Sequence, residues 1–177
     1  HVSKFILKGA LMLTVWRSPE IRPTMDIDIL GRTDNDEARI LEQVQEILNV
    51  KVEADGLEFD PASTQVERIT EDTDCKGTRI RFRGGLDGAK VNIQIDIGFG
   101  DVVYPGVEES DFPTILDFPA PRLFCYSRES AIAEKFEAMV KLGMLNSRMK
   151  DFYDIWLLSR QFNFDGANLI EAIRLTF

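Results

Sequence analysis

An α+β fold, with a mixed sheet, flanking helices and a C-terminal helical portion, is predicted by the order of patterns along the chain. Three observations carry that expectation. Period-two alternation recurs in several stretches between residues 25 and 97. A helical apolar stripe follows the first of these stretches, and from residue 127 the texture is helical throughout.

Residues 4–16 carry apolar side chains at the spacing of a buried helix, interrupted by Gly9. A loop with Pro19 and Pro23 leads into a strand over 25–30. The polar residues 32–36 offer an N-cap to a helix whose apolar positions are Ile40, Leu41, Val44, Ile47 and Leu48. Alternation predicts strands over 65–70, 78–83 and 91–97. The last two are joined through Gly84-Gly85-Leu86-Asp87-Gly88, where glycine supplies the positive φ of a tight turn. Pro105, Pro113, Pro119 and Pro121 punctuate a loop-rich passage with one extended piece over 122–126. A helix near Ser130, a second over 150–162 and a third from Gly166 complete the order. This texture divides the chain into an α/β core, 1–126, and a helical portion, 127–177, packed on it. Both ends fall inside apolar patterns without caps, so the chain is expected to continue beyond each.

With 177 residues, 44% of them apolar and 29% charged, the chain can bury a proper core and has the balance of a globular protein. No apolar run is long enough to span a bilayer, and no signal-peptide pattern is present. Cys75 and Cys125 lack metal-ligand spacing and read as reduced thiols, so a cytoplasmic protein without membrane contact is expected. The one histidine is His1, which sets His-based triads aside. A net charge of −9 argues against gripping long duplexes by their backbone.

The chemistry concentrates in Thr24-Met25-Asp26-Ile27-Asp28. In a strand, Asp26 and Asp28 project to one side while Met25, Ile27 and Ile29 pack on the other. Two like charges on one face repel unless a cation lies between them, and Mg²⁺ or Mn²⁺ accepts carboxylate oxygens while leaving positions for phosphates. A solvated strand end would carry the same two residues. A third carboxylate is the test. Asp96 lies in Val91-Asn92-Ile93-Gln94-Ile95-Asp96-Ile97, where Asn92, Gln94 and Asp96 share the polar face. If this strand neighbours the first, Asp26, Asp28 and Asp96 could hold two ions about 3.5–4 Å apart. A plain edge strand with a polar outer face fits the pattern equally well. Upstream, Lys8, Gly9 and Ala10 form a small-residue turn with close backbone access for phosphate.

Together these residues resemble the nucleotidyltransferase superfamily: Leu7-Lys8-Gly9-Ala10 as its glycine motif, Asp26 and Asp28 as its metal pair, Asp96 as its third acid. Ala10 departs from the usual Gly or Ser. Ala133-Glu134-Lys135-Phe136-Glu137-Ala138-Met139 and Asn146-Ser147-Arg148-Met149-Lys150-Asp151-Phe152-Tyr153-Asp154-Ile155-Trp156 extend the likeness to the AbiEii/AbiGii family. That is a family of bacterial nucleotidyltransferases from abortive-infection and toxin–antitoxin systems. The resemblance implies a metal-dependent toxin that moves a nucleoside monophosphate from an NTP to an acceptor, the 3′ end of tRNA being the suspected one, with release of pyrophosphate. It implies Thr24, Lys8, Gly9, Ala10 and Lys135 at the nucleotide, Asp151 in support of the catalytic site, and a cognate antitoxin encoded nearby. A small-molecule or protein hydroxyl as acceptor, or a silent nucleotide-binding relative, are the alternatives.

Three further expectations come from the residues. Asp96 is the candidate base at the attacking hydroxyl. Asp151 and Asp154 share a helical face, which favours a site role unless Arg148 or Lys150 is their partner. Phe152, Tyr153, Ile155 and Trp156 read as core at helical spacing, Phe124 and Tyr126 could stack a base, and Arg17, Arg22, Arg148 and Lys150 could form a small basic patch for RNA.

Overall fold

The computed structural model describes residues 4–20, 22–71 and 75–177, excepting the side chains of 70, 71, 75 and 76, so that of Cys75 lies outside the described residues. Along the chain the order is β1 (Phe5–Lys8), a 3-10 turn (Gly9–Leu11), α1 (Met12–Val15), β2 (Ile27–Gly31), α2 (Glu37–Leu48), β3 (Leu57–Glu71), β4 (Cys75–Leu86), β5 (Ala89–Phe99), β6 (Glu108–Asp111), β7 (Arg122–Cys125), α3 (Arg128–Leu142), a second 3-10 turn (Gly143–Leu145), α4 (Met149–Gln161) and α5 (Gly166–Thr176). These form two compact units, His1–Leu11 with Arg22–Gly100, and Met12–Ile21 with Asp101–Phe177. The division falls after Gly100, whereas the texture of the sequence changes at 127. The reason is hydrogen bonding. Tyr104 N–H donates to Ser130 Oγ at 2.8 Å, and Ser127 Oγ donates back to Tyr104 O at 2.5 Å, tying the loop-rich segment to the first turn of α3.

In the first unit the strand order is β3-β4-β5-β2-β1, with β2 and β5 parallel and the other neighbours antiparallel. The helix expected over 4–16 is corrected: Phe5–Lys8 is a strand, and only Met12–Val15 is α-helical. A short apolar run satisfies either period, and Gly9, at φ +71°, breaks any helix through it. The other three long strands outrun their expected limits because the alternation continues through polar residues on the open face. Of the glycine-rich connection, only Asp87 (φ 47°) and Gly88 (φ 80°) form the turn, both left-handed as a two-residue hairpin requires, while Gly84 and Gly85 stay in the β4 ladder.

Helix α2 starts where the sequence places it. Asp36 caps it by accepting from Arg39 N–H at 2.9 Å, and Ile40 and Val44 face inward one turn apart. They meet Ile80, Phe82 and Ile97, with Phe5, Ile29, Leu48, Val66, Ile93, Ile95 and Phe99 around them. Because strand side chains alternate, burying this face leaves Arg79, Arg81, Arg83, Asn92, Gln94 and Asp96 together on the other.

The second unit centres on Leu13, Ile132, Leu157 and Leu158, lined by Trp16, Ile155, Phe162, Phe164 and Leu169. Ser127 caps α3 through Ser130 N–H, and Asp165 caps α5 through Asn168 N–H. Phe152, Tyr153 and Trp156, expected in the core, are exposed, because Leu157, Leu158 and Ile155 take the inward face of α4 instead. Tyr126 is buried and donates to Glu134 Oε1 at 2.5 Å, which removes it as a base-stacking platform. Burial, and next the carboxylates of Glu134 and Asp101, hold its phenol pKa far above the ordinary value. Burial likewise pushes the Cys125 thiol up to about 11. Among the described residues no helix is long and apolar enough to cross a membrane.

Candidate active site

Strand register builds the site. Lys8 of β1 is paired with Asp28 of β2, Asp28 with Asp96 of β5, and Asp96 with Arg79 of β4. Paired residues share a face, so four strands present one row with two anions flanked by a cation on each side. The neighbouring strands expected for Asp28 and Asp96 are observed, and they are parallel.

Gly9 closes on this row. A Cβ added to it would lie 2.7 Å from both Cβ and Cγ of Asp28, which no side chain tolerates. Together with its positive φ, this makes glycine obligatory at the position. Its bare backbone seats against the Asp28 side chain. Ala10, by contrast, is buried at 3% exposure.

Strand β2 begins at Ile27, and Asp26 sits in the bend before it. Thr24 shapes this bend, its Oγ1 donating to Asp26 O at 3.2 Å and lying 3.4 Å from Asp26 N–H as acceptor. Met25, expected to pack inward, is 93% exposed because the chain has not yet entered the ladder. Asp26 is held from the side: Gln94 Nε2 donates to its Oδ1 at 2.9 Å. The amide is itself oriented, since Arg81 Nε donates to Gln94 Oε1 at 3.0 Å and Arg81 Nη1 to Glu67 Oε1 at 2.7 Å. A chain of hydrogen bonds thus runs Glu67–Arg81–Gln94–Asp26 across β3, β4 and β5.

Asp96 stands beside Asp28, but both of its oxygens are engaged. Arg79 donates to them from Nε at 2.8 Å and from Nη2 at 2.7 Å, a bidentate pair with both side chains mostly buried. The hydrogen bonding to Asp96 raises the Arg79 pKa well above its ordinary value, burial opposing it. Asp96, expected as base and third metal ligand, therefore stands in this structure with both oxygens on Arg79. Among the described residues no group of three His, Cys, Asp or Glu side chains comes together as a metal cage. Asp26 and Asp28 supply hard oxygen donors but, among the described residues, no third acid completes a cage, and such a pair fits a divalent ion shared with substrate oxygens better than one enclosed by protein.

In the second unit, Lys135 Nζ is 2.8 Å from Asp154 Oδ2 and 3.7 Å from Asp151 Oδ1, and Arg148 Nε is 2.8 Å from Asp151 Oδ2. Asp151 and Asp154 are each 1% exposed and Lys135 15%. The condition set by the sequence is met, because Arg148 does partner the acidic pair. Lys135, expected at nucleotide phosphates, and Asp151, expected to support catalysis, are here an ion cluster joining α3 to α4. Arg148, expected in a basic patch, belongs to it as well. Of the other three, Arg17 and Lys150 fall in this unit and Arg22 in the first.

Sequence reasoning missed Arg79, Arg81 and Gln94. The signal was present: alternation puts Arg79, Arg81 and Arg83 on one face of β4, and the Asp87-Gly88 turn sets them opposite Asp96, Gln94 and Asn92.

A glycine turn seated on the second acid of a D-x-D pair, with a further acid on the parallel neighbour strand, is the geometry of this site, and the mixed-sheet fold around it is one that nucleotidyltransferases share. Solved structures share the fold. JHP933 from Helicobacter pylori matches over 90% of this chain at a TM-score of 0.58 and 15% identity. A second H. pylori structure, named as a proposed nucleotidyltransferase, matches over 90% at a TM-score of 0.54 and 14% identity. The chain spans 59% and 61% of their lengths. No curated protein matches significantly. The chain belongs to the nucleotidyl transferase AbiEii toxin family of type IV toxin–antitoxin systems, whose family model it matches over residues 1–177.

Proposed function

We propose that this chain carries the active site of a metal-dependent nucleotidyltransferase toxin. It transfers a nucleoside monophosphate from an NTP to an acceptor hydroxyl, that of a tRNA 3′ end, and releases pyrophosphate; a cognate antitoxin is its proposed partner. The observation that carries the reading is the seating of Gly9 on Asp28 inside the Lys8–Asp28–Asp96–Arg79 row. A core-stabilising role does not account for two adjacent carboxylates, or for a bare backbone packed directly against one of them.

Asp26 and Asp28 would hold Mg²⁺ or Mn²⁺, which when bound draws charge from the reacting phosphate and the attacking oxygen. The protein's own part is orientation and charge. Gln94 fixes the rotamer of Asp26, Gly9 gives phosphate oxygens access to backbone, and Lys8 and Arg79 bracket the acids with positive charge where the triphosphate gains negative charge. Asp96 acts by holding Arg79 in place. Lys135 and Asp151 act through the fold of the second unit.

The test is incubation of the purified chain with each α-labelled NTP, mixed cellular RNA and Mg²⁺. Label in small RNA with stoichiometric pyrophosphate, abolished by chelator, is expected. Label in protein or in a small molecule moves the acceptor elsewhere, and no NTP consumption with any acceptor ends the proposal.

A positioning role for Gln94 gives a second expectation. Gln94→Leu removes the donor to Asp26 and the acceptor for Arg81 without a large loss of volume. Transfer and Mn²⁺ affinity should fall about 10–100-fold, as for other groups that orient a ligand. Calorimetric titration with Mn²⁺ reads this without turnover; affinity equal to wild type would leave the relay without a role at Asp26.

A further inference from the structure

The same face of the first unit continues from Asp26 into a groove of about 700 Å³, walled by β3, β4 and β5. Its polar lining includes Ser63, Thr64, Arg81, Arg83, Asn92 and Gln94, and Met25 stands at its Asp26 end. The far wall exists because the β3–β4 register shifts between Asp60 and Gln65, a bulge that lifts 61–64 out of the ladder. Phe82 and Ile93 at its floor belong to the core, but the polar lining and the bulge do not serve it. Three features together point to a ligand: an apolar side chain left 93% exposed, two guanidinium groups in a row, and a bulge that opens space beside them.

We infer that this groove seats the last nucleotides of a single-stranded RNA acceptor, with Arg83 and Arg81 on consecutive phosphates and Met25 against a base. The inference rests on the nucleotidyltransferase reading and adds the route by which the acceptor reaches Asp26. Arg81 and Arg83 are two residues apart on one strand face, about 6.6 Å, the order of one nucleotide step along an extended strand. Their present partners are exchangeable. Arg83 bonds Asp60 at 3.1 Å with side chains 66% and 46% exposed, and exposed ion pairs add little stability. A phosphate offers Arg83 the bidentate acceptor for which a guanidinium is shaped. Arg81 keeps Glu67 and Gln94 and presents its remaining N–H groups. A methionine thioether lies well against a flat aromatic base without selecting which base it is. Two such contacts suffice for an end-on acceptor and agree with a chain whose net charge is −9.

The probe is a short fluorescent single-stranded RNA with a free 3′-hydroxyl, its binding to the full chain followed by anisotropy across a salt series. For two phosphate contacts the log–log slope should be about −1.4, at ~0.7 per contact on single strands. Arg83→Glu should weaken binding about tenfold and flatten the slope by about one contact. Ala62→Trp, which fills the groove without altering charge, should weaken binding at an unchanged slope. Mant-labelled NTP, titrated in parallel, should bind both variants as it binds wild type.

If Arg83→Glu does not fold, Ala62→Trp decides alone. RNA bound by both variants as by wild type, or not bound by wild type, overturns the groove. Failure of the underlying reading looks different: RNA affinity follows the groove variants while wild type transfers no nucleotide to anything.

Discussion

Lys135→Ala is expected to destabilise the protein by about 3–5 kcal/mol, because it takes away the ammonium that faces two buried carboxylates. Asp154 and Asp151 are each 1% exposed, and the Lys135 ammonium is 2.8 Å from one and 3.7 Å from the other. Removing the cation leaves Asp154 without its ammonium and Asp151 with Arg148 as its closer cation. A chain of this size should then melt about 6–20 °C lower. Lys135, which the resemblance placed at the nucleotide, is 15% exposed and faces the two acids. Thermal denaturation of Lys135→Ala beside the double variant Lys135→Ala/Asp154→Asn checks the cause. The double variant should recover part of the loss, since it removes the buried charge that the ammonium faced at 2.8 Å. A single variant that melts like wild type would return Lys135 to the status of a surface lysine.

Asp28→Asn should cost roughly 100- to 1,000-fold in nucleotide transfer or more, with little change in melting temperature. Asparagine keeps the shape against which Gly9 is seated, so the loss would report charge alone. Stability should hold because the substitution relieves repulsion from Asp96, its register partner, while giving up attraction to Lys8 on the other side. Asp26→Asn should behave alike, with the amide still able to accept from Gln94. Transfer is read by pyrophosphate release and by label in the acceptor, and folding by the melt. Either variant retaining more than about a tenth of wild-type transfer would remove that residue from the reacting centre.

The contrast between Lys135 and Asp28 shows where sequence reading works and where it stops. Alternation in 91–97 and the D-x-D at 26 and 28 were enough to put each acid on the polar face of its own strand, because strand periodicity is local and strict; that the two strands are neighbours came from the fold. The capped stripe of α2 and the helices after 127 were readable for the same reason. The first strand was not. Phe5–Lys8 is four residues long, too short to separate one period from the other, and pairing with β2 makes it a strand.

Tertiary structure alone decided which charges meet. Lys135 and Asp151 sit on different helices, Arg79 and Asp96 on different strands, and a sequence lists each without its partner. Whether a carboxylate is a ligand, a base or half of an ion pair depends on the donor within 3 Å of it, and that donor comes from packing. So the sequence by itself determined the fold class, the family resemblance and the position of Asp26 and Asp28 at the head of a strand. The fold determined that Asp96 belongs to Arg79, that Asp26 leans on Gln94 and Arg81, and that Lys135 holds two helices together. Local periodicity is written in neighbouring residues, whereas charge pairing is a long-range consequence of register and burial.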